Sequence, residues 1–396
     1  MYENSYLKIN LDILKNNAKN IVNKYSEYKY KIAMVKGDAY GHGSFVVKTL
    51  IDSGFNYLAA SSLKECLQIR KYTNAPILCT EPIDLKYIDE ITNNNITITI
   101  HNIEYLKKLI ELNSNVKVHF KIDSGMNRLG FKSKEEFNNA VSLINDNIIF
   151  EGIYSHFSTT GIIDKTWDNQ VKKFKNIISD INLEDKIVHF ASSFSLLSHP
   201  KIDVCNGFRI GSVIFGINTS ISYGNSFKDI LRKIRNRYFQ KKNNLSLVYT
   251  NIDLNVKTCL SLYSKVIEVK NVNKGEYIGY SESYKAETNI KVAIVDIGYK
   301  DGIGRKNNNR KVLINGKLYD VIGDIEMCMI LVKVDDNVKV GDEAELFGEN
   351  ISISKMCEYK NETIHEVFLS LGKVLQKKYI ENNKLVKITY IDEKEV

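Results

Sequence analysis

Short apolar runs alternate with amphipathic stretches from about residue 30 to about residue 220 of the chain. The runs begin at Tyr30, Asn56, Pro76, Ile96, Val116, Phe150, Ile187 and Phe208. Between them lie sequences with helical apolar spacing, such as LKECLQIRKY. This alternation is typical of buried parallel strands that are each followed by a helix. Eight such units in succession predict a closed (β/α)8 barrel, in which ligands bind at the carboxyl ends of the strands.

An open, doubly wound sheet is the alternative arrangement of these units, but no GxGxxG motif follows an early strand, so a dinucleotide site is not supported. From about Leu245 the pattern changes to period-two runs such as LSLYSKVIEVK, separated by turn-forming NKGE and NGK. This pattern predicts short antiparallel strands. We therefore expect a barrel domain over residues 1–245 and a mainly-β domain over residues 246–396. We expect the first strand, within residues 1–12, to pair with the C-terminal domain.

A strongly basic stretch, FKDILRKIRNRYFQKKN, lies between the two patterns, inside an apparent insertion at about residues 222–244. Basic stretches of this kind bind nucleic acids or membrane surfaces in some proteins. Its apolar residues recur at helical spacing, however, and we interpret it as an amphipathic surface helix. The residues of its apolar face are Phe227, Ile230, Leu231, Ile234 and Tyr238.

Composition adds limits on location and partners. The chain has 396 residues with a formal net charge of +8, which does not require a nucleic-acid partner. It has no apolar run of the ~20 residues that span a bilayer, and its first residues do not resemble a signal peptide. The six cysteines are scattered, which is typical of free thiols in a reducing compartment. We expect a cytoplasmic protein with no metal site and no nucleic-acid or membrane partner.

The string MVKGDAYGHG carries the most specific chemical signal. An apolar strand ends here and delivers Lys36 into a glycine-rich loop that contains Tyr40. A lysine at such a place can have its pKa lowered by burial, act as an amine nucleophile and form a Schiff base with a carbonyl compound. The glycines allow the backbone to approach a ligand closely.

This string resembles the cofactor-lysine motif of the alanine racemase family, and further motifs extend the resemblance over nearly the whole chain. The family has a barrel followed by a β domain and forms head-to-tail homodimers that share active sites. The resemblance therefore implies pyridoxal 5'-phosphate as the cofactor, bound at Lys36 and contacted by Tyr40. A second match is HFKIDSGMNRLGF, in which Arg128 is implied to contact the substrate carboxylate. Lys121, in the same motif, matches a lysine that is often carbamylated.

Three further barrel motifs carry cofactor contacts by the same resemblance. GIYSHF places His156 beside the cofactor, in a network with the arginine of FRIGSVIFG, which is Arg209. An arginine stays charged at working pH, so it cannot take a proton from the pyridine nitrogen it faces. The residues implied to bind the phosphate are Ser193, Gly211 and Ser212 in the barrel and Tyr299 in DIGYKDGIGR.

The resemblance also implies that the β domain supplies a second base. GEYIGYSESY matches the family stretch whose tyrosine reaches the active site of the other subunit, and that tyrosine is Tyr280 here. One glycine of the family pattern is replaced by Ser281. The resemblance implies two-base racemisation, with Lys36 on one face of the α-carbon and Tyr280 on the other. It also implies interconversion of L- and D-alanine, to supply D-amino acid for cell-wall peptidoglycan.

The substrate side departs from the family pattern. The V-G-R-[IV]-C-M-D loop is IGDIEMCMILV here, from Ile322. Met327, implied to hold the substrate carboxylate, is kept. Three of its neighbours are changed, to Asp324, Glu326 and Cys328, and Lys373 stands near a position that is often tyrosine. Such changes of charge alter selectivity more than small changes of apolar size. The preferred amino acid is therefore open.

Three alternatives remain beside an alanine racemase. The first is a racemase of serine or another polar amino acid. The second is a barrel-type decarboxylase with the same cofactor lysine, but that class has an acidic partner for the pyridine nitrogen and a glycine triplet for phosphate, which this chain lacks. The third is a non-catalytic pyridoxal-phosphate-binding homologue.

Overall fold

The computed structural model describes residues 4–159, 161 and 163–390. The chain divides into two compact units. One comprises residues 14–37 and 44–257, and the other comprises residues 1–13, 38–43 and 258–396. The first strand and helix are β1 (Tyr6–Asn10) and α1 (Leu11–Lys24). Within the described residues, no helix is both long enough and apolar enough to cross a membrane.

The first unit contains a closed barrel of eight parallel strands. These are β2 (Tyr30–Met34), β3 (Tyr57–Ala60), β4 (Ile77–Cys79), β5 (Ile96–Ile100), β6 (Val116–Lys121), β7 (Ile148–Tyr154), β8 (Ile187–His189) and β9 (Gly207–Ile210). Pairing of β2 with β9, with Tyr30 opposite Gly207, closes the ring. Each strand coincides with one of the eight apolar runs, because barrel strands are covered on both faces. The predicted barrel is confirmed.

Helices follow the barrel strands. They are α2 (Lys36–Tyr40), α3 (Val47–Asp52), α4 (Leu63–Arg70), α5 (Ile88–Asn93), α6 (Ile103–Glu111), α7 (Lys134–Ser142), α8 (Thr166–Ile177), α9 (Ser193–Ser198) and α10 (Phe227–Lys242). Several begin where a side chain caps the first turn; for example, Asn102 accepts the amide N–H of Tyr105 at the start of α6. Leu106 and Leu109 of α6 are buried.

The second unit is mainly β structure, as predicted. Its strands after β1 are β10 (Leu260–Val272), β11 (Tyr277–Ile278), β12 (Tyr284–Lys285), β13 (Ile290–Val295), β14 (Lys311–Ile314), β15 (Lys317–Ile322), β16 (Ile330–Val334), β17 (Glu343–Phe347), β18 (Gln376–Glu381) and β19 (Lys384–Thr389). Among the described residues, nine of these strands form one sheet in the order β13-β16-β15-β14-β17-β10-β1-β18-β19. Strands β11 and β12 form a separate hairpin.

Strand β1 lies inside this sheet, antiparallel to β10 and parallel to β18. The pairs Leu7–Leu262 and Ile9–Tyr379 place apolar side chains of β1 in the core of the unit. Two helices, α11 (Ile353–Lys360) and α12 (Ile364–Gly372), complete the unit. Thr363 and Glu366 form a reciprocal capping box at the start of α12.

The basic stretch forms helix α10, but our interpretation of its orientation is wrong. We expected its apolar residues to form the buried face of a surface helix. Phe227 is 74% exposed, Tyr238 is 66% exposed, and the other apolar residues of that face are also exposed. The polar side of the helix faces the protein instead. There, Asn236 donates to the Tyr223 hydroxyl at 2.6 Å, and Gln240 donates to the Ser246 carbonyl at 3.1 Å.

Candidate active site

The site begins at the carboxyl end of β2, where the chain turns out of the barrel at Lys36. The Val35 amide continues the ladder by donating to the Ala59 carbonyl at 2.8 Å. Two residues later, the Gly37 amide donates to a Glu65 carboxylate oxygen at 2.5 Å. The other oxygen of Glu65 accepts from the amide and hydroxyl of Ser61. Glu65 therefore holds the backbone beside Lys36 against the loop that follows β3.

The residues after Lys36 form a left-handed helical turn. The φ angles of Gly37, Asp38, Ala39 and Tyr40 are 64°, 51°, 53° and 54°. L-residues disfavour this region by roughly 1–2 kcal/mol each, because Cβ crowds the following carbonyl oxygen. Three consecutive non-glycine residues in it are a local concentration of strain, which is found mostly at functional sites.

The segment of residues 38–43 belongs to the second unit, together with α12 and β18. The Tyr379 hydroxyl donates to the His42 carbonyl at 3.0 Å, and the His42 ring packs on the edge of Phe368 with centroids 5.1 Å apart. Burial raises the pKa of Tyr40 to about 12, and its ring lies 5.9 Å from that of His365. The loop after Lys36 is thus anchored to the C-terminal part of the chain.

Arg209, at the end of β9, is the most buried cation of the barrel site, with 4% exposure. Its Nη1 donates to Nδ1 of His189 at 2.7 Å, and its Nη2 donates to the Ser155 carbonyl at 2.6 Å. The guanidinium carbon lies 5.1 Å above the ring of Tyr154. Burial lowers the pKa of Arg209 to about 10, so the group stays charged at neutral pH.

A column of two histidines and a carboxylate supports Arg209 inside the barrel. Because arginine only donates, Nδ1 of His189 must accept, and the proton of this ring sits on Nε2. That nitrogen lies 2.9 Å from Nδ1 of His119, whose own Nε2 lies 3.1 Å from Glu151. Each member therefore donates to the next, from Arg209 to Glu151. Burial lowers the pKa of both histidines, which keeps them neutral.

Glu151 ends the column as an acceptor for several donors. The Tyr57 hydroxyl donates to it at 2.5 Å and the Thr97 hydroxyl at 3.1 Å. Burial alone would raise its pKa, but the hydrogen bonds from His119 and Tyr57 lower the pKa to about 2. Sequence reasoning missed Glu151, His119 and Glu65 as site residues. The available signal was the position of His119 on β6 and His189 on β8, the two strands that flank β7, which carries Glu151.

His156 sits among positive charges at the end of β7. Its Nδ1 is 3.3 Å from Nη2 of Arg209. Burial, followed by the positive charges of Arg209, Arg128, Lys121 and Lys36, lowers the pKa of His156 to about 3. These four cations come from different strands and loops, and His156 feels the field of all of them. A neutral histidine among cations provides hydrogen bonding without adding charge.

Lys121 is the last residue of β6, and Arg128 lies in the loop that follows this strand. Lys121 is buried, and burial together with the charges of Arg128 and Arg209 lowers its pKa to about 8. Its Nζ lies 5.4 Å from the centre of the Tyr154 ring. Arg128 is exposed, and in the described residues neither Arg128 nor Lys36 has a carboxylate within 4.0 Å. Glu81 and Asp123 offset only part of the charge around Lys121, so the barrel mouth carries an excess of positive charge, which suits an anionic ligand.

The loops after β8 and β9 meet at Ser193. The Gly211 amide donates to the Ser193 hydroxyl at 3.0 Å, and Ser212, next to it, is buried. Barrels commonly bind phosphate groups at the loops that follow their last strands. Within the described residues, no group of His, Cys, Asp and Glu side chains is arranged to hold a metal ion.

The second unit holds the other residues that were singled out from the sequence. Tyr280 is 71% exposed, in a short 3-10 turn. The Tyr299 amide donates to the Glu326 carbonyl at 2.9 Å, so the segments of Tyr299 and Met327 are adjacent. The Asp324 amide donates to the Ser283 hydroxyl at 3.2 Å. The Tyr280 turn is therefore tied to the loop that departs from the family pattern.

Comparison with known proteins agrees with the geometry. Residues 9–219 match the model of the alanine racemase N-terminal domain, and residues 259–379 match that of the C-terminal domain. The chain is 31% identical to alanine racemase of Clostridium perfringens, over 97% of each chain. It is 27% identical to the crystal structure of alanine racemase from Bacillus anthracis with bound L-Ala-P, over 98% of each chain, with a TM-score of 0.81.

The same fold occurs in histidine racemase from Leuconostoc mesenteroides, at 22% identity over 96% of this chain and 98% of the other, with a TM-score of 0.79. That likeness concerns the fold alone. The two domain matches and the 31% identity over nearly the full length show the family as well as the fold. This chain belongs to the alanine racemase family of isomerases.

Proposed function

We propose that the protein is a pyridoxal-phosphate-dependent racemase that interconverts L- and D-alanine as a homodimer. The observation that carries this proposal is that the same end of the barrel holds both Lys36 and a buried Arg209, a side chain that can only donate hydrogen bonds. A cofactor with a carbonyl carbon, a ring nitrogen acceptor and a phosphate needs a lysine, a hydrogen-bond donor and a phosphate site. The barrel supplies all three kinds of group at the carboxyl ends of its strands.

The residues present fit the cofactor. Lys36 would hold its carbonyl carbon, and Arg209 and His156 would lie at its ring. Ser193, Gly211 and Ser212, with Tyr40 and Tyr299, would contact its phosphate. When bound, pyridoxal phosphate supplies the electron sink for a carbanion at the α-carbon.

The column behind Arg209 decides what that residue can do. Its Nη1 and Nη2 donate to His189 and to the Ser155 carbonyl, so the guanidinium plane is fixed. A charged guanidinium donates a hydrogen bond to a ring nitrogen but takes no proton from it. Arg209 would thus leave the ring nitrogen of a bound cofactor unprotonated, which would favour brief carbanions and their reprotonation over decarboxylation or transamination.

Inversion at the α-carbon needs one proton acceptor on each face. Lys36 serves one face, and Tyr280 of the partner subunit serves the other. The 71% exposure of Tyr280 supports this assignment, because a base that acts on another subunit must project from its own. Arg128, exposed and without a carboxylate partner, binds the carboxylate of the amino acid, and Met327 lies in the loop that helps to hold it.

The experiment is chiral analysis of L-alanine conversion by purified protein with pyridoxal phosphate, together with the absorbance of the bound cofactor. Lys36→Ala should lose both the cofactor band and the conversion. Tyr280→Phe should keep the band and lose most of the conversion. The matched control is Tyr277→Phe, a nearby exposed tyrosine, which should behave as the parent. Absence of the cofactor band in the parent protein would refute the proposal.

Co-expression of Lys36→Ala with Tyr280→Phe tests the shared site. If Lys36 of one subunit works with Tyr280 of the partner subunit, a mixed dimer has one intact site and one doubly altered site. Random pairing should restore roughly a quarter of the parent activity from two inactive chains. No restoration, with mixed dimers verified by mass, would place both bases in one subunit.

Lys121 is proposed to carry a carbamate. A neutral amine is needed for reaction with carbon dioxide, and a pKa near 8 makes the neutral form accessible at working pH. The negative carbamate would compensate the charges of Arg128 and Arg209. Addition of bicarbonate should raise activity of the parent protein, and Lys121→Ala should remove this response. The control Lys108→Ala, at an exposed lysine of α6, should keep it.

A second candidate substrate is serine or another polar amino acid. Cys328, Glu326 and Asp324 favour this candidate, because they change the charge and polarity of the substrate-side loop. Parallel measurements of kcat/KM for L-alanine and L-serine decide between the two. A higher value for serine that reverts in Cys328→Asp would assign the change of substrate to this loop.

We further propose a cytoplasmic enzyme whose D-alanine enters cell-wall peptidoglycan. The family membership supports the role, and six cysteines without a disulfide support a reducing compartment. Growth of a gene-deletion strain should then require added D-alanine.

A further inference from the structure

Helix α10 presents its apolar face to solvent, and this orientation is held by specific contacts. Asn236 and Gln240 make their hydrogen bonds on the opposite side, to the Tyr223 hydroxyl and the Ser246 carbonyl. The Arg232 guanidinium lies 5.8 Å from the centre of the Tyr223 ring on the same side. Rolling the apolar residues inward would break all three contacts. The exposed face is therefore a built feature of the helix.

The apolar face is a continuous stripe along the helix. Its members are Phe227, Ile230, Leu231, Ile234 and Tyr238, and each is about half exposed or more. Their spacing of three and four residues places them on one side of a helix about 24 Å long. Single exposed apolar residues are ordinary on protein surfaces, but a contiguous stripe marks an interaction site.

Positive charge borders this stripe on both sides. The helix has seven basic residues and one acidic residue. At 100° per residue, Arg235 and Lys242 fall along one edge of the stripe, Arg237 falls along the other edge, and Lys241 continues the stripe beyond Tyr238. The one acidic residue, Asp229, is turned away and accepts from the Ser226 hydroxyl at 2.6 Å. No carboxylate of the helix therefore faces the occupant.

The apolar stripe and its basic edges together indicate which kind of partner binds this face of α10. A second copy of the helix would bury the apolar stripe but would bring two strongly basic rows together, which is unfavourable. A nucleic acid would neutralise the charge but would leave leucine and isoleucine side chains without an apolar partner. An anionic phospholipid surface offers acyl chains for the stripe and phosphate groups for its edges.

In place of the expectation of no membrane partner, we propose that α10 is a membrane-surface anchor that binds anionic phospholipid bilayers. The helix lies parallel to the bilayer plane, with Phe227, Leu231 and Ile234 below the headgroups. Lys and Arg side chains at the edges contact the lipid phosphates, with their alkyl stems along the apolar boundary. The proposal does not rest on the racemase assignment, because no residue of α10 belongs to that site.

Vesicle co-sedimentation of the full-length holoenzyme tests the proposal. The vesicles are phosphatidylcholine alone, and equal parts of phosphatidylcholine and phosphatidylglycerol. The protein should sediment with the mixed vesicles and remain in solution with phosphatidylcholine. Since each basic residue near the surface contributes about 1 kcal/mol, Arg235→Gln with Lys242→Gln should weaken binding roughly tenfold or more.

The apolar stripe is tested by Leu231→Ser with Ile234→Ser, which keeps every charge and should also weaken binding at least roughly tenfold, since both side chains leave the acyl region. The matched control is Lys172→Gln with Lys173→Gln, two exposed lysines of α8, which should bind as the parent does. Thermal unfolding of each variant checks that it is folded.

Three results would overturn the proposal. The first is no binding of the parent protein to either vesicle. The second is equal binding by the Leu231→Ser, Ile234→Ser variant, because the apolar stripe would then be irrelevant. The third is a smaller assembly for that variant than for the parent in light scattering, which would make the face a contact between copies of this chain. If the parent protein binds duplex DNA tightly and neither vesicle, the proposal is overturned as in the first result.

Discussion

Arg209 donates to Nδ1 of His189 across 2.7 Å, and this one contact determines the proton positions of the whole column beneath it. Because the guanidinium has no acceptor, His189 must be neutral and must donate from Nε2 to His119. His119 in turn donates to Glu151. Arg209 is thereby fixed as a charged donor at the mouth of the barrel. The carboxylate that compensates its charge, Glu151, lies at the other end of the column.

Replacement of His189 by Phe should weaken cofactor binding. The change removes one of the two acceptors of Nη1 of Arg209 and keeps the other, the His189 carbonyl at 3.0 Å. Loss of a hydrogen bond from a buried charged donor costs about 1–3 kcal/mol. We expect the dissociation constant of pyridoxal phosphate to rise roughly tenfold or more. Fluorescence titration of the apoprotein measures it. His101→Phe is the control, since His101 lies outside the column. An unchanged dissociation constant in His189→Phe would mean that the column does not position Arg209.

Ser281 stands where the family has glycine, and we expect the backbone at this residue to be strained. Its φ angle is 56°, in the left-handed region that disfavours side chains. Ser281→Gly should raise the free energy of unfolding by about 1 kcal/mol. Ser283→Gly is the matched control, because Ser283 has a φ of −64° and accepts from the Asp324 amide. The control should lower stability. Chemical denaturation measures both, and a loss of stability in Ser281→Gly would contradict the strain argument.

Sequence patterns predicted the barrel well, because its strands are buried on both faces and therefore appear as continuous apolar runs. The Lys36 motif was recognisable because a lysine between a buried strand and glycines is chemically unusual. The column of His189, His119 and Glu151 was not recognised, since the pairing of β6, β7 and β8 brings together side chains that lie far apart in the sequence. The orientation of α10 was predicted wrongly. An amphipathic pattern identifies two faces of a helix but does not say which one meets the protein.

Gly41 should be sensitive to any side chain. Its φ is 81°, and a Cβ there would lie 2.2 Å from the carbonyl oxygen of Phe368, which is backbone and cannot move aside cheaply. Gly275 has a φ of 91° and no heavy atom within 4 Å of its Cβ position, so it isolates the cost of the backbone conformation. Gly275→Ala should cost about 1 kcal/mol, and Gly41→Ala about 3 kcal/mol or more.

Denaturant titration of both glycine variants gives the two costs directly. The difference between them measures how tightly the segment of residues 38–43 is packed against α12. Equal costs for Gly41→Ala and Gly275→Ala would show that this segment yields easily. The loop that follows Lys36 would then not be firmly held by α12.

The buried His199 side chain should make the free energy of unfolding depend on pH. Its ring stacks on Trp167 with centroids 4.8 Å apart, and neither ring nitrogen has a hydrogen-bond partner among the described residues. Burial lowers its pKa to about 4 from an ordinary value of 6.5. Between these two values the unfolded chain takes up a proton that the native protein does not. The native state therefore loses stability as the pH falls from 6.5 to about 4.

Replacement of His199 by Phe keeps a ring against Trp167 and removes this proton uptake. The variant should gain stability relative to the parent as the pH falls, by about 2 kcal/mol at pH 5, and by little at pH 7. Unfolding free energies at both pH values measure the change. His156 also has a lowered pKa, so part of the acid sensitivity should persist in the variant. A difference between parent and variant that is the same at both pH values would show that His199 titrates normally, and that the protein around it admits water.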